Sequence, residues 1–260
     1  MIDWLYTFPE LLLLILPVTT LVLLMVVLPR LIHRIPWLTP SDGNTDFVLR
    51  MQATLFTMTS LVLTFTLVQA DINFRQADNL VSSEAAKIDQ LDRLLTRYGD
   101  ESARDVRPLL HAYARSIVEK EWPAMLKDKG DPETGKAFAP ISRRILTINP
   151  TNSRETLILG EMLKALDTIA DARASRLNMI TIALPPIYWI VVCFAICMLL
   201  FVSSTIQQTP FRTTVLAAQA AVVGAFLGFV FTMDQPFKGE TAIGPDAIVQ
   251  VLARMEARTE

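Results

Sequence analysis

The sequence predicts an all-α membrane protein with four transmembrane helices and a helical-bundle soluble domain inserted between the second and third spans. Three observations carry this prediction. Four apolar stretches are close to or above the roughly 20 residues that a helix needs to cross a bilayer. Hydrophobic residues make up 52% of the chain, more than a soluble protein usually contains. Between the second and third stretches, apolar residues recur at helical spacing among charged ones, and alternating β patterns are absent.

The first two apolar stretches are predicted to be the first and second spans. The first runs over 11–28. Because Asp3 and Glu10 but no Lys or Arg precede it, and no small-residue cleavage site follows it, we expect an uncleaved span rather than a signal peptide. The second runs over 48–68, and no proline or glycine interrupts the chain from there to Tyr98. We therefore expect one long helix that leaves the membrane and becomes the first helix of the soluble domain.

The segment after the second span is predicted to form the soluble domain. Gly99 is expected to end its first helix. We expect further helices over 102–125 and 138–147, and a long helix that begins at Thr151 after an Asn-Pro break. The predicted domains are 1–70 for the first two spans, 71–178 for the soluble domain, 179–232 for the last two spans, and 233–260 for a C-terminal loop and short helix that pack on the soluble domain.

The last two spans are predicted over 179–202 and 213–231. The Pro185-Pro186 pair stands near the start of the third span and removes two backbone donors. It either kinks or breaks a longer helix inside the membrane, or marks a helix start at the interface. In the fourth span, Gly224 and Gly228 form a small-xxx-small pattern, which permits close approach of another helix.

Three hydroxyl residues of the second span, Thr57, Ser60 and Thr64, share one helical face, which Asp71 and Arg75 continue beyond the membrane. These five are the candidate pore-lining residues. Hydroxyls can donate to a permeating anion or accept from a cation. They are also common where membrane helices pack together, which is the alternative. Asp71 and Arg75 are either a charged ring at the pore exit or an ordinary exposed pair on one helix.

Two arginines, Arg173 and Arg176, precede the third span. They are candidate contacts for anionic lipid or for permeating anions. The alternative is an ion pair with an acidic side chain of the neighbouring helix, such as Glu84 or Asp78, or a pair between Arg176 and Asp234. The sequence does not distinguish these alternatives.

A turn-rich loop follows the fourth span. We expect it to form a tight structural loop against the soluble domain, because proline and glycine fix its path and an aromatic side chain can fill an apolar gap. The alternative is a gate or latch. The residues concerned are Asp234, Pro236, Phe237 and Gly239.

Composition and motifs argue against several function classes. The net charge of −2 gives no argument for a nucleic-acid partner. Both cysteines, Cys193 and Cys197, lie inside the third span, and the chain has only two histidines, so we expect no metal site and no cofactor. No phosphate-cradling glycine loop or nucleophile elbow is present, and we expect no enzymatic activity. No Lys, Asp or Glu stands in mid-membrane, which argues against a proton-coupled transporter.

A series of motifs runs through most of the chain around the layout of two spans, a helical domain and two further spans. They are Glu84, Asp89, Asp92, Tyr113 and Glu121-Trp122, then Arg173, Arg176, Pro185, Pro186 and Trp189, and finally Asp234, Pro236, Phe237 and Gly239. In this order they resemble the bestrophin-like domain family of bacterial integral membrane proteins of unknown function. No single motif is diagnostic alone, and the order carries the resemblance.

Bestrophins proper are homopentameric anion channels whose second span lines the pore. The resemblance implies an anion-conducting homo-oligomer, pentameric by resemblance only, in contact with membrane lipid. It also implies a bacterial inner-membrane protein with a cytoplasmic soluble domain, although the Lys and Arg distribution weakly favours the opposite orientation. The chain has hydroxyls where bestrophin pores narrow at an apolar neck, and it lacks a recognisable acidic calcium clasp. The alternative function is a non-conducting membrane scaffold or sensor whose helical domain binds a partner.

Overall fold

The computed structural model describes residues 10–35, 44–207 and 209–258, and all regular structure within these ranges is helical. A π-helical turn, Ile117–Glu121, joins α4 to α5. The α-helices are α1 (Glu10–Ile32), α2 (Thr45–Tyr98), α3 (Glu101–Arg104), α4 (Val106–Ser116), α5 (Trp122–Met125), α6 (Pro132–Leu146), α7 (Ser153–Met179), α8 (Pro186–Thr205), α9 (Pro210–Met233) and α10 (Asp246–Ala257).

Four of these helices, α1, α2, α8 and α9, are long and apolar enough to cross a membrane. Their most apolar windows have mean hydropathies of 3.0, 1.5, 2.5 and 2.0 respectively. Most of each window is not buried within the single chain, so its apolar surface is left for lipid or for other chains. The prediction of an all-helical membrane protein with four membrane-length helices is confirmed.

The second helix is continuous over Thr45–Tyr98, 54 residues, or about 80 Å at about 1.5 Å per residue. No residue in it lacks an N–H or a side chain, so nothing in the sequence interrupts its hydrogen-bond ladder. It ends at Gly99, which has a φ of +79° and donates its N–H to the Leu95 carbonyl at 3.3 Å. The backbone there is left-handed, a conformation that favours glycine.

The chain divides into two compact units. The first unit comprises the residues up to Phe74 and Ala183–Thr241, and the second comprises Arg75–Ile182 and the residues from Ala242 onward. The loop after α9 thus groups with the spanning helices. That the loop and short helix over 233–260 pack on the soluble domain stays a prediction.

The first unit is built on close packing of α1 against α9. A Cβ added to Gly224 would lie 2.6 Å from Val18 Cα, and one added to Gly228 would lie 2.9 Å from Leu14 Cα. Only glycine permits backbones to approach this closely, as the small-xxx-small pattern predicted. A polar link joins α2 to α9 in the same unit, where Gln52 Nε2 donates to Gln219 Oε1 at 2.6 Å.

The third span begins at the proline pair. Helix α7 ends at Met179 and α8 begins at Pro186, with Pro185 as its N-cap residue. The Pro185-Pro186 pair therefore marks a helix start, and α7 does not run on into α8. Proline fits the first helical position because the N–H it lacks would have no partner inside the helix.

The second unit contains more breaks than the sequence predicted. The expected helix over 102–125 is divided into α3, α4, the π-helical turn and α5. Helix α6 begins at Pro132, six residues before the predicted 138, because Asp131 caps it by accepting from Thr134 N at 2.8 Å.

Candidate functional site

The candidate pore-lining hydroxyls lie on the side of α2 that faces away from the core of the first unit. Thr57 and Thr64 are exposed, and Ser60 is half-buried. On the opposite side of the helix, Thr59 and Thr66 are each 1% exposed and pack within the unit. The helix thus carries one hydroxyl row inward and one outward, and the single chain leaves only the outward row exposed.

Both outward threonines donate their hydroxyl protons to the backbone of their own helix. Thr57 Oγ1 donates to the Ala53 carbonyl at 3.0 Å, and Thr64 Oγ1 donates to the Ser60 carbonyl at 2.8 Å. With the protons so placed, each hydroxyl presents oxygen lone pairs to its surroundings. It accepts hydrogen bonds or cations directly, and it must rotate to donate to an anion.

The same outward face of α2 carries large apolar side chains. Leu61, Phe65 and Val68 are 49%, 64% and 49% exposed in the single chain. Such side chains suit lipid or another copy of the chain, whereas hydroxyls tolerate water. The face is therefore mixed, and this is the surface that any pore along α2 would use.

Asp71 and Arg75 continue α2 beyond this region. Asp71 is half-buried in the first unit, and Arg75 is exposed at the start of the second. A role for them at a pore exit remains a prediction.

A buried ion cluster lies in the second unit, where α7 meets α2 and the π-helical turn. Arg176 is fully buried, and its Nε lies 2.5 Å from Glu84 Oε2 while its Nη2 lies 2.6 Å from Glu121 Oε2. Arg173 also binds Glu121, with Nε 3.0 Å from Oε1. The Arg176 guanidinium lies 5.2 Å from the centre of the Trp122 ring. Two arginines and two glutamates thus balance in charge away from water.

This cluster places Arg176 with Glu84, one of the three acidic partners, with Asp78 and Asp234, that the sequence left open. The pairing of both arginines with Glu121 was not predicted. Glu121 lies 52 residues before Arg173 in the chain, and only the packing of α7 on the π-helical turn brings them together. The candidate role of Arg173 and Arg176 in anion or lipid contact remains a prediction, and Arg176 has no exposed surface for it in this arrangement.

Tyr113 packs in the same region of the second unit. Its ring lies 5.1 Å from that of Phe138, and its hydroxyl is buried with no hydrogen-bond partner in the described part of the chain. Burial raises the pKa of the Tyr113 hydroxyl well above its usual value, and the nearby Glu84 carboxylate raises it further. The hydroxyl therefore stays protonated.

A second ion cluster ties α10 to α2. Arg258 Nη2 lies 2.6 Å from Asp89 Oδ1, and Arg258 Nη1 lies 2.8 Å from Asp92 Oδ2. Arg107 on α4 also binds Asp92, with Nε 2.9 Å from Oδ1. No partner for these carboxylates was predicted, because Arg258 stands 166 residues beyond Asp92.

The loop after α9 caps the backbone before the proline pair. Asp234 Oδ1 accepts the N–H of Leu184 at 2.7 Å, and both residues are buried. Burial raises the pKa of the Asp234 carboxyl, while the Leu184 N–H opposes this shift. Phe237 is 4% exposed, and Gly239 has a φ of +103°. These contacts are of the kind that a structural loop makes, and both the structural role and the alternative of a gate or latch stay predictions.

Metal-ligating residues are not grouped in the part of the chain that the structure describes. No cluster of three or more His, Cys, Asp or Glu side chains there could hold a metal ion. Cys193 and Cys197 are free thiols on the exposed side of α8.

Comparisons with known proteins identify the fold. A family model, the Bestrophin-like domain, matches residues 15–248. A mutant of a bacterial bestrophin homologue from Klebsiella pneumoniae has a TM-score of 0.69 at 14% identity, covering 95% of this chain and 98% of that one. Another structure of a bestrophin homologue from that organism has a TM-score of 0.66 at 15% identity, covering 93% and 96%. No curated protein sequence matches.

Proposed function

Because this chain belongs to the bestrophin-like domain family, we propose that it is a homo-oligomeric ion channel, anion-conducting, with α2 lining the pore. One observation carries the proposal. Thr57 and Thr64 are exposed on the side of α2 opposite the core of the first unit, so the single chain leaves this face unused. A pore lined by one helix per subunit uses such a face.

A pore of this kind needs several copies around an axis. One helix per subunit encloses a pathway only when about four or more subunits surround it. The large apolar side chains beside the hydroxyls, Leu61 and Phe65 among them, would then pack between neighbouring copies. We propose that the protein forms this homo-oligomer and that the homo-oligomer is in contact with membrane lipid.

We place this assembly in the bacterial inner membrane. The second unit supplies the segment between the second and third spans, and we propose that it forms a soluble, cytoplasmic domain. Its buried ion clusters and amphipathic helices fit a water-facing bundle. The fluorescence of a tag added after α10, or the protease accessibility of a cleavage site added there, tests this orientation directly.

Anion preference is the part of the proposal that the family supplies. A second candidate, cation conduction, is favoured by a specific observation. Thr57 and Thr64 both donate to their own helix backbone, which leaves acceptor oxygens facing outward. Acceptor oxygens coordinate cations, whereas anions require donors.

The decisive experiment compares chloride with potassium efflux from liposomes that contain the purified protein. We expect chloride efflux that falls when Thr57 and Thr64 are both replaced by Leu, because the row of hydroxyls becomes apolar. The matched control is Thr19→Leu, since Thr19 is also an exposed membrane-helix threonine that donates to its own backbone, at 2.9 Å, but lies on α1. Potassium efflux with the same dependence would instead establish the cation channel.

Cysteine accessibility locates the pathway independently. Cysteines placed at Thr57, Ser60 and Thr64 should react with water-soluble thiol reagents, and cysteine at the buried Thr66 should not. If all four stay unreactive, α2 does not line an aqueous pathway. Absence of flux from folded, oligomeric protein would favour the non-conducting scaffold or sensor, whose helical domain binds a partner.

A further inference from the structure

A cavity of about 760 Å³ opens on the second unit, where the end of α2 meets α3, α4 and α10. A second cavity, of about 640 Å³, shares Arg104 and Pro108 with it. These volumes lie in the range of about 300–1,000 Å³ that is typical of small-molecule sites. Neither cavity is lined by any of the five candidate pore-lining residues.

The two cavities are lined by five arginines and only two carboxylates. The whole chain carries a net charge of −2, so positive charge is concentrated at this place. An anion is the natural ligand of such a site. The charged lining residues are Arg104, Arg107, Arg115, Arg143, Arg144, Asp105 and Glu256.

The arginines of the larger cavity differ in how firmly they are held. Arg107 is fixed by the buried Asp92, and Arg258 also binds that carboxylate, so the Asp92 charge is balanced behind the cavity wall. Arg115 pairs with Glu256 at 3.1 Å, but both side chains are more than half exposed. Such a pair is weak in water and can exchange for a ligand. Arg104 is exposed, and its charge acts on the exposed Asp100 carboxylate, whose pKa it helps to lower.

Apolar side chains line the same cavity beside the guanidinium groups. Leu95, Pro108 and Ala112 contribute to its wall. An inorganic ion would leave this surface unused, whereas an organic anion would cover it. Guanidinium forks match the oxygens of phosphate and carboxylate groups, and three arginines suit a doubly charged phosphate better than a single carboxylate.

We propose that this cavity binds a phosphate monoester, with the phosphate held by Arg104, Arg107 and Arg115 and the organic group packed against Leu95, Pro108 and Ala112. The ligand chemistry is the same for a water-soluble phosphate ester and for a lipid headgroup such as that of phosphatidic acid. The site is separate from the proposed pore, and its test measures binding rather than flux.

The experiment is calorimetric titration of the full-length protein in phosphatidylcholine nanodiscs with phenyl phosphate, and with phenol as the uncharged probe. We expect saturable binding of phenyl phosphate and none of phenol. Arg104→Gln and Arg115→Gln should each weaken binding about tenfold, because each removes a charge-assisted contact to phosphate. Both residues are exposed, so the variants should elute as the wild-type oligomer does.

The matched control is Arg254→Gln. Arg254 is an exposed arginine on α10 that lines a different cavity, so its loss removes the same charge without touching the proposed site. Equal weakening by this control, or no saturable binding to the wild type, would overturn the proposal. Nanodiscs containing phosphatidic acid identify the source: competition with phenyl phosphate assigns the site to a lipid headgroup, and unchanged binding assigns it to a soluble ester.

Discussion

At the scale of single residues, the buried ion cluster makes the sharpest stability prediction. Replacing Arg176 by Met should destabilise the second unit by about 3–5 kcal/mol, because two buried glutamates lose their shared partner. Thermal unfolding of the detergent-solubilised protein measures the effect. Lys164→Met is the control, since Lys164 is an exposed cation on the same helix, and it should change stability by under about 0.5 kcal/mol. Equal effects of both variants would contradict the cluster.

His111 gives a prediction about pH. Burial lowers its pKa below the ordinary 6.5, although the Asp92 carboxylate opposes this, and Arg107 and Glu256 also face it. A lowered pKa means that the folded state binds the proton less tightly than the unfolded chain does. The contribution of His111 to stability is therefore fully present above about pH 6.5 and is lost as the pH falls through the folded pKa.

The measurement is the thermal midpoint of wild type and His111→Gln at neutral and at mildly acidic pH. Acidification should lower the wild-type midpoint more than that of the variant, because glutamine has no proton to bind. Equal decreases in the two proteins would show that other groups account for the pH dependence. Burial also raises the pKa values of Glu84 and Asp234, so the difference between wild type and variant, rather than the wild-type decrease alone, isolates His111.

Sequence motifs identified many of the residues in these clusters, but they identified few of the partners that those residues bind. The motifs named Glu84, Asp89, Asp92, Arg173 and Arg176, and Glu84 was one of three acidic side chains considered as partners of the arginines. The double use of Glu121 and the role of Arg258 depend on how distant helices pack. Periodicity within one helix carries no information about which other helix covers its face.

At the scale of elements, sequence signals were most reliable where they were local and where only one structure fitted them. Helix α2 was predicted because no residue from 48 to 98 breaks it, and Gly99 ends it as expected. The start of α6 was missed because a turn-rich composition concealed an Asp-Pro N-terminus at Asp131. The proline pair was ambiguous because Pro185 and Pro186 fit both a kink and a helix start, and the cap that Asp234 provides for Leu184 comes from a distant loop.

Close packing of α1 against α9 predicts opposite effects of one substitution at two glycines. Gly224→Ala should cost about 1–3 kcal/mol, because its Cβ would lie 2.6 Å from Val18 Cα and 2.8 Å from Val18 N, backbone atoms that cannot rotate away. Gly160→Ala should stabilise by about 0.4–1 kcal/mol, because the new Cβ would meet no atom within 4 Å beyond its chain neighbours and its own helix backbone, and alanine restricts the unfolded chain.

Both glycines lie inside α-helices, so helix propensity alone would predict a gain in each case. Thermal unfolding in one detergent compares the two variants with wild type. If Gly224→Ala were as stable as Gly160→Ala, α1 and α9 would not pack as closely as the structure shows.

At the scale of the whole molecule, the exposed face of α2 leaves a single chain incomplete. Its apolar side chains are about half exposed or more at Leu61, Phe65 and Val68, and hydroxyls stand among them. Lipid would surround the apolar side chains favourably, but it would give the hydroxyl groups no water with which to form hydrogen bonds. The proposed symmetric assembly would resolve this difference, because each copy would cover the apolar part of its neighbour while the hydroxyl row faced the axis.

Such an assembly makes a geometric prediction, since rotational symmetry brings the same residue of every subunit around one axis. In a chain with Cys193 and Cys197 replaced by Ala, Thr57→Cys and Thr64→Cys should each give subunits linked to one another by a short bis-maleimide, seen as a ladder on denaturing gels. Thr66→Cys should give none, because Thr66 is 1% exposed and points into its own unit. The number of bands in the ladder counts the subunits. Linking at Thr66 but not at Thr57 or Thr64, in protein that elutes as an oligomer, would mean that the opposite face of α2 lines the axis.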